Sequence, residues 1–264
     1  MKAYDFSYDN KNLSDFGMII CSFDEKGLET VSDGSVISFN TVPVLGGSKH
    51  KMTSTEYEDC LETTIQICKH SCTKGIQEIT SSEHRELTKW LNRKKFLKFK
   101  ILDEDYVDLY FEASFNISRI ELDGKLYGLE LEVFTNRPFA LKEPRTIIVK
   151  NEVQDGKHSI NDTSYEEGYI YPYTEIKIIE NGDLNIFNAL ENRNIYIAGC
   201  VAGEVITMDY PIIQSSISSH DIQNDFNWNF FRVANTFDNS RNDLTISIPC
   251  EIKIKYSPIV KVGL

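Results

Sequence analysis

Cys60, Cys68, His70 and Cys72 come nearest, by type and spacing, to a metal site in this chain. Zinc takes four thiolate or imidazole ligands in a tetrahedron, usually from tight pairs with roughly two to four residues between the members. Cys68 and Cys72 have a permitted gap, but no second pair follows downstream. Buried or loop thiols fit better, and no metal or other cofactor is expected. Glu204 and Asp209 read at first as glycosidase carboxylates. They bracket one strand, however, and their odd offset turns them to opposite faces, whereas an acid–base pair must face one bond. Both are therefore read as surface carboxylates. No Gly-x-Ser-x-Gly elbow, His-Glu-x-x-His helix or phosphate loop occurs, and Gly46-Gly47-Ser48-Lys49 lacks the first glycine and the spacing of the last. His220-Asp221 follows Ser215-Ser216 in a polar loop, and with five histidines some Ser/His/Asp proximity is unavoidable. The chain is expected not to be an enzyme, with no catalytic residues. Phe226-Asn227-Trp228-Asn229-Phe230-Phe231 has two readings: a stacking platform for sugar rings, or large residues filling a core. Core is the reading for most of the run, and Trp228 is the ligand-platform candidate.

Those residues need elements to place them, and bulk composition limits the choice. At 264 residues the chain has room for one or two domains, and 41% hydrophobic with 26% charged residues is the balance of a globular protein. A net charge of −12 repels phosphate backbones, because nucleic-acid affinity comes mainly from Lys and Arg displacing counterions. Specific nucleic-acid binding is therefore not expected. The basic cluster Lys89, Arg93, Lys94, Lys95, Lys98 and Lys100 is read as a solvated helix terminus, where cations suit the helix dipole. No apolar run reaches the ~18 residues of a membrane span. The opening residues show no charged-then-apolar export signal, so the six cysteines are expected to be reduced.

Periodicity supplies the elements. Leu129, Leu131 and Val133 alternate with Glu130 and Glu132, a half-buried strand that must stop before Pro138. Strands are expected over 36–43, 61–67, 96–102, 107–117, 117–122 and 126–134, the last two joined by Asp123-Gly124, a strong hairpin signal. Thr80-Ser81-Ser82-Glu83 has the form of a capping box, and Leu87, Trp90 and Leu91 follow at helical spacing, predicting one helix near 82–93 with Trp90 as its core anchor. The second half reads as short strands at sandwich spacing: 175–179, 184–188, 194–198, 204–209, 244–248 and 251–256. Asn151, Asp155, Gly156, Asn161 and Asp162 suggest a linker. The expected layout is a domain over 1–145, mostly β with one helix, a linker over 146–165, and a β domain over 166–264.

In order and spacing these landmarks resemble the distal tail proteins of phages with long, non-contractile tails. The resemblance runs through Leu13-Ser14-Asp15-Phe16-Gly17, Tyr57 with Ile65-Gln66-Ile67, Trp90-Leu91, Asp105-Tyr106 and Asn136-Arg137-Pro138-Phe139-Ala140. It continues in Tyr171-Pro172, Gly203 to Asp209, and Ile252-Lys253-Ile254-Lys255-Tyr256. It departs at Met208, where isoleucine is common, and in the long polar 210–243 segment.

The resemblance implies a mainly β protein: a sandwich or split-barrel-like first domain with one α-helix, and a galectin-like β-sandwich after it. It further implies a structural virion protein, a homo-hexameric hub ring between the tail-tube protein and the tail-associated tip or lysin protein, with a receptor-binding protein as a further partner. DNA would pass through the lumen, and the protein would reside at the phage tail tip, and in the bacterial host cytoplasm during assembly. Ring contacts are sought at Val44, Leu45, Gly46 and Gly47, in a β-rich arm after Pro43. Two other classes stay open: a carbohydrate-binding adhesion protein, which needs an exposed aromatic shelf near Trp228, and a β-sandwich glycosidase, which needs two facing carboxylates.

Overall fold

The computed structural model describes residues 4–23, 35–71, 75–236 and 238–262. The chain divides into two units, Met1–Lys142 with Val260–Leu264, and Glu143–Ile259. The first unit opens with β1 (Phe6–Tyr8), β2 (Lys11–Asn12), β3 (Met18–Cys21), β4 (Ile37–Pro43), β5 (His50–Tyr57), β6 (Glu62–Ser71) and β7 (Gly75–Gln77). Helix α1 (Ser81–Leu91) follows, then β8 (Leu97–Ile101), β9 (Leu109–Leu122), β10 (Lys125–Thr135) and β11 (Ala140–Lys142). One sheet runs β2-β1-β8-β9-β10-β6-β3, with β7 beside β6 and β11 beside β9.

Local chemistry explains much of this unit. Leu129, Leu131 and Val133 of β10 are fully buried while Glu132 faces solvent, as the alternation requires. Asp123 and Gly124 both take positive φ (50° and 76°), the twist that lets a two-residue turn join β9 to β10. β9 is one strand of 14 residues where two were expected, because Asn116-Ile117-Ser118 contains no breaker and pairs throughout with β10. At α1 the Glu83 amide donates to Thr80 Oγ1 (3.3 Å) and the Thr80 amide donates to the Glu83 carboxylate (2.8 Å), closing the capping box. Leu87, Trp90 and Leu91 turn inward. The Trp90 ring lies 5.8 Å from Phe6 and 4.4 Å from Phe16, both stacked, and its indole N–H donates to the Tyr8 carbonyl at 2.9 Å.

The second unit comprises β12 (Arg145–Asn151), β13 (Gly156–Asn161), β14 (Gly168–Ile170), β15 (Tyr173–Ile178), β16 (Gly182–Asn188), β17 (Arg193–Cys200), β18 (Val205–Asp209) and β19 (Ile212–Ser215). A short helix α2 (Ile222–Asp225), β20 (Val233–Asn235), β21 (Arg241–Ile246) and β22 (Cys250–Tyr256) complete it; β23 (Ile259–Val260) leads into the terminal segment of the first unit and lies beside β11 in that unit's sheet. Two sheets, β12-β22-β15-β18-β19 and β13-β21-β16-β17, share one core. Ile176, Ile206, Met208, Ile252 and Ile254 enter it from the first sheet, and Leu184, Ile186, Ile195, Ile197 and Ile246 from the second. This is a β-sandwich.

The segment 146–165 is not a linker. β12 pairs with β22 from Arg145 to Asn151, and β13 pairs with β21 from Gly156 to Asn161. The polar residues that suggested a linker are structural. Asn151 is wholly buried and its amide nitrogen donates to the carbonyls of Val153 (2.8 Å), Ile246 (3.3 Å) and Ile248 (2.7 Å), tying β12 to the segment at the end of β21. Gly156 lies so close that an added Cβ would fall 1.8 Å from Asn151 Oδ1. Asp162 is likewise buried and accepts from the Tyr256 hydroxyl at 3.0 Å.

Candidate functional site

The candidate ring residues Val44, Leu45, Gly46 and Gly47 lie at the tip of a hairpin. β4 and β5 form a two-stranded sheet that pairs with no other described strand. The turn between them is closed by hydrogen bonds from the Val44 amide to the Lys49 carbonyl (2.9 Å) and from the Gly47 amide to the Val44 carbonyl (3.2 Å). Leu45 is entirely exposed, and Ile37, Phe39, Val42, Val44 and Met52 are also exposed. Ile37 sits opposite Tyr57, and Phe39, two residues on, shares their face. A two-stranded hairpin with exposed apolar side chains is marginal alone in water, and exposed apolar residues gathered on one hairpin suit an interaction surface.

The cysteine–histidine cluster is only partly described. Cys68 is buried and Cys60 exposed, while Cys72 lies outside the described residues. Sequence reasoning missed Cys21, whose strand β3 pairs Ile19 with Cys68 and so brings the two thiols together. Burial, then the hydrogen bond with Cys68, pushes the Cys21 thiol up and away from the thiolate a metal would need. Among the described residues no group of three or more His, Cys, Asp or Glu side chains could hold a metal ion.

Glu204 corrects the sequence reading more sharply. It is fully buried, not a surface carboxylate, whereas Asp209 is exposed on the other face of β18 as the odd offset requires. Glu204 Oε1 accepts from Ser215 Oγ (2.5 Å) and His220 Nδ1 (2.6 Å), and Oε2 accepts from the Val201 amide (3.0 Å). Burial alone would raise this carboxyl; the Ser215 hydroxyl, the Val201 amide and His220 outweigh it and hold the group below the usual range. His220 belongs to this network although it lies in a polar loop, and its Nε2 faces the Ala198 carbonyl at 3.0 Å. The Ser215 hydroxyl is directed to the carboxylate, not to the imidazole. Through Glu204, Ser215 and His220 the arrangement ties the 216–225 segment to the sandwich.

The aromatic run splits as read. Phe226, Phe230 and Phe231 are buried in the core, and Trp228 is exposed. Tyr210 and Tyr171, which sequence reasoning did not read as site residues, stack on each other at 4.2 Å beside Phe230. The available signal was the alternation Tyr169-Ile170-Tyr171, which puts two tyrosines on one face. The basic cluster straddles two elements: Lys89 is in the last turn of α1, Arg93–Lys95 follow its cap, and Lys98 and Lys100 belong to β8.

Residues 1–137 match a family model described as a phage tail protein N-terminal domain, and residues 139–256 match one described as a phage tail C-terminal domain. No curated protein matches the chain. Among solved structures, it is similar in fold to SPP1 Dit, described as a paradigm of the hub adsorption apparatus in phages infecting Gram-positive hosts. The two are 11% identical, with a TM-score of 0.61 over 97% of this chain and 99% of that one.

Proposed function

The chain belongs to a family of phage tail proteins, matched in both of its domains, and on that premise we propose that it forms the hub ring at the distal end of a long, non-contractile tail. The ring is a homo-hexamer that joins the tail-tube protein to the tail-associated tip or lysin protein and lets DNA pass through its lumen. It acts without catalysis, at the tail tip of the virion, after assembly in the host cytoplasm. The fold shared with SPP1 Dit supports this reading.

The observation that carries it is the β4–β5 hairpin, exposed along both strands and apolar at Phe39, Leu45 and Met52. A closed ring needs a heterologous contact, in which a projecting surface of one copy meets a different surface of the next. Val44, Leu45, Gly46 and Gly47 at the hairpin tip are our candidates for that contact. Ring formation would reside in residues 1–145, and the sandwich would offer its surface to other tip components, a receptor-binding protein among them. An acidic chain suits a lumen that must not hold DNA. Counting copies at the tube–tip junction of intact tails by electron microscopy tests the reading. Six copies are expected; a single copy there, or none, overturns it.

A further inference from the structure

The hub reading leaves unused a continuous aromatic run on the second unit. The Trp228 ring centroid lies 6.4 Å from that of Phe230, Phe230 lies 5.3 Å from Tyr210, Tyr210 lies 4.2 Å from Tyr171, and Tyr171 lies 5.5 Å from Tyr169. Phe230 is buried, but Trp228, Tyr210 and Tyr169 are 56%, 55% and 56% exposed. Rings of this size normally repay their burial; the Arg232 guanidinium lies over Tyr169 at 4.0 Å, and the exposed Trp228 and Tyr210 call for an occupant.

Trp228 is held outward by its surroundings. Its backbone takes φ of +60°, a conformation that is strained for a bulky residue and persists only where neighbours enforce it. The neighbours are visible. The Asn229 amide donates to Asn227 Oδ1 (3.1 Å), and the side-chain amides of Asn227 and Asn229 both donate to the Asn194 carbonyl (3.1 Å each). Arg193 donates to the Phe230 carbonyl (2.8 Å) and to Asn229 Oδ1 (3.1 Å). Phe226 and Phe230 support the indole at tilts of 46° and 60°, and no described ring stacks face-on against it. The indole is thus more than half exposed while the backbone on either side of it is fixed.

Chemistry selects the ligand. The residues on either side of Trp228 are neutral amides, and each of these side-chain nitrogens has one N–H committed to Asn194 and a second left for another acceptor. An exposed indole flanked by neutral donors suits a molecule with an apolar C–H face and a rim of hydroxyls. A protein hot spot would instead call for a rim of packed contacts that excludes water, and Asn227 beside the indole is itself exposed. We propose that this shelf binds a neutral pyranose glycan, with Trp228 and Tyr210 stacking on sugar rings and Asn227 and Asn229 donating to hydroxyls. Preorganisation of the loop lowers the ordering cost of binding. The proposal is independent of ring formation.

The chain has two tryptophans, and Trp90 is buried, so a change in the exposed tryptophan emission reports on Trp228. The full-length protein is titrated with chitohexaose, cellohexaose and a β-linked galacto-oligosaccharide, and affinities are measured by calorimetry. At least one of the three should shift the emission to the blue. Trp228→Ala and Tyr210→Ala should each weaken that sugar by about tenfold or more, the loss of one stacking contact, with melting temperatures unchanged; Trp228→Phe should restore part of the affinity. Absence of binding by all three sugars overturns the proposal. So does binding that survives both alanine variants, or a shelf that captures another tail protein and none of the sugars.

Discussion

His220 Nδ1 lies 2.6 Å from Glu204 Oε1, with the two side chains 5% and 0% exposed. The other imidazole nitrogen meets the Ala198 carbonyl, with Asp225 Oδ2 at 3.4 Å, so both ring nitrogens face oxygen acceptors. The pair joins the start of β18 to the loop after β19, and it is the one place in the sandwich where a fully buried carboxylate meets a histidine among the described residues.

Glu204 makes acid stability dependent on this pair. Its carboxyl is held below the ordinary value when folded, so its stabilisation is complete above the unfolded value of about 4.3 and is lost as pH falls through the lower folded value. Wild-type protein should lose melting temperature between pH 5 and pH 3 more steeply than Glu204→Gln, in melts followed by circular dichroism. Parallel curves would remove the carboxylate from the explanation.

His220→Ala strips a buried partner from a carboxylate that keeps Ser215 and Val201. Removing one partner of a buried hydrogen bond costs about 1–3 kcal/mol, and denaturant unfolding at pH 7 should show a loss in that range. A loss below about 0.5 kcal/mol would mean that the loop is held by other contacts.

Trp90→Ala removes the ring stacked against Phe6 and Phe16 and the indole N–H that donates to the Tyr8 carbonyl. Large-to-small core changes of this type cost about 3–5 kcal/mol. The first unit should unfold correspondingly earlier in guanidinium, and unchanged unfolding would contradict the packing of α1.

Asn151→Ala leaves the Val153, Ile246 and Ile248 carbonyls without their shared donor. An expected cost of about 1–3 kcal/mol follows from buried groups left unpaired. Hydrogen exchange should rise first in β12 and β13; protection equal to wild type would show that the side chain is dispensable.

The hairpin separates assembly from folding. Phe39→Asp with Leu45→Asp alters two exposed positions, so stability should stay within about 0.5 kcal/mol. If the arm is the ring contact, native mass measurement in the presence of the tail-tube protein should lose the oligomer. An oligomer that persists would move the contact elsewhere.

Local chemistry was legible. The Thr80–Glu83 capping box, the Asp123-Gly124 turn and the alternation of β10 each act within a few residues, so their patterns survive in the one-dimensional record. The split of 226–231 was also readable, because a core needs phenylalanines and an indole with polar neighbours does not have to join it. Polar burial was not readable. Glu204 looked like any surface carboxylate because its partners Ser215 and His220 arrive 11 and 16 residues later, and Asn151 looked like linker because Ile246 lies 95 residues away. The sequence by itself determined a mainly β chain in two parts, one helix with its buried face, and an acidic surface. Only the tertiary structure decided which polar groups are inside and which apolar ones are bare. A polar side chain can be buried only where distant chain supplies its hydrogen-bond partners, and the β4–β5 arm remains exposed because no other described strand pairs with it.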